Sequence, residues 1–196
     1  MIPLLVPMVA LADDDEMGRA YDHRLMRRLL GYLRPYRGSV AVAAVVVILD
    51  ALAKHKARAS FFLTGVFLEN PDFVPLIKRM VKEEHYVGPH SDQHLLYCPW
   101  EGPKRTLVTR EEFKSDLVAN LKKLEVFGVA RRQARWFLPP YEHHNQEIGD
   151  WTRDSGMRLI NYTPGTRSNA DYTGEADKNY VSSEAVFQSI LKHERE

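Results

Sequence analysis

Gly88-Pro89-His90-Ser91-Asp92-Gln93-His94-Leu95-Leu96-Tyr97 is the most informative stretch of this chain. His90 and His94 stand four residues apart, a spacing that on one helical turn or in a tight loop aims both imidazoles at one point. Neutral imidazole is a strong ligand for zinc and similar divalent ions. A pair still needs a third ligand, usually a carboxylate, and an open position for water. Taken alone, H-x-x-x-H fits two partly exposed loop histidines just as well, so the surroundings decide.

Upstream, Ala59-Ser60-Phe61-Phe62-Leu63-Thr64-Gly65 is a short apolar strand stopped by glycine. Pro71 opens a helix on which Phe73, Leu76, Ile77, Met80 and Val81 recur at helical spacing, and Val87-Gly88-Pro89 then delivers the chain to His90. Downstream, Thr109 and Glu112 form a capping box ahead of a helix carrying Phe113, Leu117, Leu121 and Leu124, with Gly128 at its end. Trp136-Phe137-Leu138 is a strand leading into Pro139-Pro140-Tyr141. Asn145–Ser155 is a helix with Ile148 and Trp151 inward and Gly156 past its end. Leu159–Tyr162 is a further strand, Thr163–Thr173 a long polar loop, and Val186–Leu191 part of a last helix. This alternation from residue 48 onward predicts an α/β layer or barrel of parallel strands with crossover helices. Chemistry in such folds sits where strands deliver their C-terminal ends, so His90, Tyr141 and the Thr163–Tyr172 loop are expected at one mouth.

Residues 1–47 have a different character. Met1–Ala12 is apolar and ends like a secretory signal, but it lacks a positive leader and contains Pro3 and Pro7, so cleavage is not expected. Asp13, Asp14, Asp15 and Glu16 read as a solvated acidic cluster. A basic amphipathic run, His23–Arg34, has Leu25, Leu29, Tyr32 and Leu33 on one face and ends at Pro35. Ser39–Leu49 is apolar but shorter than the roughly 20 residues a membrane helix needs. It is either a buried strand, as Val45-Val46-Val47-Ile48 favours, or the first half of a membrane helix. Ile48–Lys56 then reads as a helix with Leu49, Leu52 and Ala53 inward.

The composition is that of an ordinary globular chain, 44% apolar and 27% charged. A formal net charge of +1 argues against a nucleic-acid partner. Cys98 is the single cysteine, so no internal disulfide forms.

Several motifs in order resemble the polysaccharide deacetylases, the NodB-like fourth family of carbohydrate esterases. Ile48–His55 followed by Ala59–Gly65 is similar to that family's first helix and second strand. Gly88–His94 resembles its H-[ST]-x-x-H metal motif, and Phe137-Leu138-Pro139-Pro140-Tyr141 its R-x-P-[YF] motif. Asn169-Ala170-Asp171-Tyr172 stands where the family has an Asp-Trp pair lining the groove. The resemblance implies a distorted β/α barrel, here incomplete and preceded by an extra N-terminal helical segment. It implies metal-dependent removal of N- or O-acetyl groups from chitin-like, peptidoglycan or other acetylated polysaccharides, usually outside the cytoplasm or at the cell envelope. His90 and His94 would hold the metal, most simply zinc. Tyr141, through its backbone N–H, and Asp171 would serve the reaction. Pro140, Tyr141, His143 and Tyr172 would contact substrate, with His144 beside them.

The departures carry as much weight. The family's T-F-D-D-G motif belongs near Val40–Val47, where there is no carboxylate. Leu138 replaces the tethering arginine, and an arginine without its carboxylate partner would be a costly buried charge. The late histidine is missing, since His193 lies on a polar helical tail. Asp92 is expected to face water or cap the turn, and Cys98 and Trp100 to pack the loop floor. Separately, residues 13–47 resemble the N-terminal segment of ABC exporters through Tyr32-Leu33-Arg34-Pro35-Tyr36-Arg37, although no P-loop follows. The sequence therefore predicts a weakly active or inactive deacetylase domain over 48–196 behind a separate segment over 1–47, either a natural or a foreign fusion. The alternatives are a non-catalytic carbohydrate-binding protein and a membrane-associated one that makes peripheral contact through residues 23–37.

Overall fold

The computed structural model describes residue 32, residues 34–170 and residues 177–195. Asp13–Asp15, most of the basic run 23–37 with its exporter-like pattern, and both Asp171 and Tyr172 lie outside the described residues. The chain divides into two compact units, Met1–Val47 and Ile48–Glu196. In the first, the described residues include a 3-10 turn, Arg34–Tyr36, and the N-terminal part of helix α1 (Arg37–Lys54).

Helix α1 settles the choice left open for Ser39–Leu49: the segment is helical, not a strand. Alanines at 41, 43, 44, 51 and 53 are strong helix formers, and they outweigh the β preference of Val45–Ile48. No helix among the described residues is long and apolar enough to cross a membrane. Leu49 is fully buried, but Leu52 is only half-buried and Ala53, expected inward, is exposed.

The second unit alternates strand and helix as the pattern predicts. Strand β1 (Ser60–Leu63) is followed by α2 (Gly65–Glu69), a 3-10 turn (Pro71–Phe73) and α3 (Val74–Lys82), then by β2 (Tyr86–Pro89). Next come α4 (Arg110–Val126), β3 (Trp136–Phe137), α5 (Gln146–Asp154), β4 (Arg158–Leu159) and α6 (Ser183–Arg195). β1 pairs in parallel with β2, and β3 in parallel with β4. The two pairs are joined by the phenol of Tyr86, which donates to the Trp136 carbonyl at 3.0 Å and accepts from the Trp136 N–H at 2.8 Å. The Leu138 N–H adds a bond to the Pro89 carbonyl at 3.4 Å. The result is an α/β arc of the kind that forms part of a distorted barrel.

Local chemistry explains where the elements start and stop. Thr109 Oγ1 accepts from the Glu112 N–H at 3.2 Å while the Glu112 carboxylate accepts from the Thr109 N–H at 2.7 Å, the capping box expected for α4. Asn145 caps α5 by accepting from the Ile148 N–H at 3.1 Å. Phe113, Leu117, Leu121 and Leu124 bury the inner stripe of α4. Phe137 is fully buried against Phe113 and Tyr97, with ring centroids 5.9 and 6.4 Å away, so β3, α4 and the histidine loop share one core. The strand expected over Leu159–Tyr162 stops at Leu159. Beyond it the Asn161 side chain takes over local bonding, accepting from the Tyr162 N–H at 2.8 Å and donating to the Glu142 carbonyl at 2.7 Å.

Candidate active site

His90 leaves the C-terminal end of β2, and Leu138 leaves that of β3. The two meet: His90 Nδ1 lies 2.8 Å from the Leu138 carbonyl oxygen. A carbonyl only accepts, so Nδ1 carries the hydrogen and neutral His90 keeps Nε2 as a free electron pair. This is the orientation a ligating histidine needs, fixed here by backbone. Burial, helped by the neighbouring His94 and opposed by the Leu138 bond, lowers the His90 pKa below its ordinary value. Burial lowers that of His94 as well. Burial thereby favours the neutral, ligating form of both imidazoles. Their ring centroids are 5.0 Å apart, and His94 lies 4.3 Å from the ring of Tyr141.

The loop carrying the pair is not helical. Ser91 and His94 both have left-handed backbone, with φ of 67° and 56°. What holds this shape is the inner face of α4. Asp116 accepts from Ser91 Oγ at 2.6 Å and from the N–H groups of Asp92 and Gln93 at 2.8 Å each. One turn on, Asn120 donates to the carbonyls of Leu63 and Ser91 at 3.0 and 3.1 Å. Lys123 reaches the Asp92 carboxylate and, at 2.8 Å, that of Glu69. Burial works against the Lys123 charge, yet Asp92 and Glu69 raise its pKa. Asp92, expected to face water or to cap the turn, instead turns its carboxylate to Lys123. Gly65 completes the support: a Cβ there would lie 2.2 Å from Asp92 Oδ1, so only glycine lets the start of α2 approach the loop.

A groove of about 610 Å³ opens over the pair, lined by His90, His94, Trp100, Leu138, Tyr141, Glu142, His143, Tyr162 and Asn169. The structure thus brings together His90, His94, Tyr141 and His143 of the residues singled out above. Tyr141 sits at a sharp turn, with φ 58° and ψ 12°. Pro140 is buried in that turn and does not line the groove. His144 is half-buried, with Nδ1 3.4 Å from Asn161 Nδ2. Cys98 is buried as expected, but Trp100 is not on the loop floor: it is 62% exposed and stacks on His143. Asp116, Asn120 and Trp100 were not signalled as site residues by the sequence reading. The first two are polar positions inside an apolar helical stripe, which is the pattern that reveals them.

The donor set fits a divalent metal only in part. His90 and His94 supply two oriented, neutral imidazoles, but the described residues contain no group of three or more His, Cys, Asp or Glu side chains able to hold an ion.

Comparison with known proteins bears on the family and the fold. The family model described as polysaccharide deacetylase matches residues 38–160. A peptidoglycan-N-acetylglucosamine deacetylase of Bacillus cereus is 25% identical over 146 residues, covering 74% of this chain and 45% of that protein. The peptidoglycan-N-acetylmuramic acid deacetylase PdaA of Bacillus subtilis is 33% identical over 93 residues, covering 47% of this chain and 31% of that protein. This chain spans less than half the length of either relative. Among solved structures, BA3943 of Bacillus anthracis, a CE4 family pseudoenzyme, superimposes with a TM-score of 0.56 at 22% identity, over 77% of this chain and 46% of that one. The family match spans β1 through β4 and includes the His90–His94 loop, and the chain belongs to the polysaccharide deacetylase family.

Proposed function

We propose that this chain binds an acetylated polysaccharide in the groove over His90 and His94 and hydrolyses its acetyl groups weakly or not at all. The observation that carries this reading is the half-built donor set. The Leu138 carbonyl orients His90 for ligation, while the described residues offer no third ligand. A divalent ion held there would polarise the acetyl carbonyl and acidify a bound water. His90 and His94 would bind it, and Tyr141 would border the acetyl group at the turn after Pro140. Leu138 contributes no charge where the family has an arginine. Peptidoglycan and chitin-like glycans are the substrate class that the relatives' names suggest, and zinc is the simplest ion for two imidazoles.

The test is acetate release from acetylated chitooligosaccharides and from peptidoglycan, with zinc or cobalt supplied and a chelated control. Little or no release above the control is expected, because each missing acid–base group typically withholds ~10²–10⁴-fold. Zinc titration of the wild type should give a weak isotherm that His90→Ala abolishes. Robust metal-dependent turnover would overturn the proposal, and so would identical isotherms for the two proteins.

A further inference from the structure

Three aromatic side chains that line the groove are also exposed: Trp100 at 62%, Tyr141 at 49% and Tyr162 at 40%. Single exposed aromatics are ordinary, but three on one concave surface mark a place where something flat and partly apolar is bound. Trp100 is the most exposed of them, and it is stacked on a neighbour. Its indole lies nearly parallel to the His143 imidazole, with 4.7 Å between centroids and 19° between planes. His143 is itself fixed, because Nε2 donates to the Pro99 carbonyl at 2.9 Å, immediately before Trp100 in the chain. Tyr141 meets the indole at 77° with centroids 5.5 Å apart, and the same Tyr141 ring touches His94. The stack is therefore two ring contacts from the metal-ligand pair, on the same groove wall.

The lining also indicates the charge of the occupant. No lysine or arginine lines the groove among the described residues, and its ionisable acid is Glu142. A polyanion such as a nucleic-acid strand or a uronic-acid polymer would need cations there. A neutral pyranose does not: its C–H face packs on an aromatic ring, and its hydroxyl and acetamido groups find partners such as Asn169.

We infer that Trp100, braced by His143, is a stacking platform for a neutral sugar ring next to the His90–His94 pair. This deepens the proposed function by naming the residue that holds the glycan and by excluding acidic sugars at that position. It rests on the groove being a glycan site but not on metal or on turnover, and its test is run without either.

In chelator-containing buffer, the wild type, Trp100→Ala and Trp100→Phe are titrated calorimetrically with a neutral β-1,4-linked N-acetylglucosamine tetrasaccharide and with tetragalacturonate. Trp100→Ala should bind the neutral glycan about tenfold more weakly than the wild type, the size expected for one aromatic contact. Trp100→Phe should keep most of the affinity, because it retains a ring. Tetragalacturonate should bind all three proteins more weakly than the neutral glycan binds the wild type. Since the side chain is exposed, thermal melting of the variants should match the wild type. Equal affinity of wild type and Trp100→Ala for the neutral glycan would overturn the inference. So would failure of the wild type to bind it at millimolar concentration, or preference for the acidic glycan. Absence of zinc binding, with the Trp100 effect intact, would remove only the metal part of the preceding proposal, whereas absence of acetate release is what that proposal expects.

Discussion

Asp116 accepts three hydrogen bonds from the loop that presents both histidines, and it is 4% exposed. Asparagine at this position keeps the shape but replaces one acceptor oxygen with a donor facing groups that also donate. Leaving a buried donor unmatched typically costs ~1–3 kcal/mol. Asp116→Asn is therefore expected to lower the free energy of unfolding, measured in urea, by an amount in that range. It should also weaken zinc binding at His90 and His94 by about tenfold or more, as losses of ligand support do. Urea melts and calorimetric zinc titration check the two effects. The histidine pair was legible through the order of motifs around it, since H-x-x-x-H alone fits exposed loop histidines just as well. Asp116 was not, because a carboxylate is ordinarily read as solvent-facing. The clue lay in its place one position before Leu117 and three after Phe113, on the buried stripe. Trp100 was misjudged for the opposite reason: apolar character points to a core, and only the fold shows that the core beneath it is already filled by Tyr97 and Cys98.

Helix α4 is the element on which the loop is mounted, and its start depends on the Thr109–Glu112 capping box. Thr109→Ala removes the acceptor for the Glu112 N–H and is expected to destabilise the chain by about 1 kcal/mol, measured by urea denaturation. The hydrogen bonds from the Thr109 backbone and then from its hydroxyl lower the Glu112 pKa relative to an exposed glutamate. The sign follows from that lowering. The contribution is fully present above the ordinary glutamate range and is lost as the pH falls through the lowered pKa. The difference between wild type and Thr109→Ala should therefore shrink in acid. Elements with strong local signals, α3, α4 and α5, were legible from periodicity and caps. Helix α1 was ambiguous because its branched apolar run satisfies a buried strand equally well. β4 was overextended because the side-chain bonds of Asn161 end the ladder, and these depend on Glu142, distant in sequence.

At the scale of the whole second unit, β3 and α4 meet at Phe137, which is fully buried and touches rings from α4 and from the histidine loop. Truncation of such a side chain costs about 3–5 kcal/mol. Phe137→Ala is thus expected to lower stability by that amount and to leave one cooperative urea transition for tryptophan fluorescence and far-ultraviolet circular dichroism alike. Separate transitions by the two probes would show that the strand pairs melt independently. The α/β alternation over 48–196 was legible because each repeat carries its own strand, turn and helix signals. How far the arc closes was not, because strand pairing is set by partners far apart in the chain.

His94 combines an imidazole placed for ligation with backbone in the left-handed region. Glycine suits that region best, and asparagine tolerates it well among the other residues. Asparagine is also one base change from either histidine codon. In the language of inheritance, a neighbouring genotype offers a backbone at least as comfortable and no ligand at all. Drift in a lineage indifferent to the imidazole would find that exit readily, whereas a lineage using it would be held at histidine. Position 94, more than the missing carboxylates, is where descendants of this sequence would record whether the groove still has work for a metal.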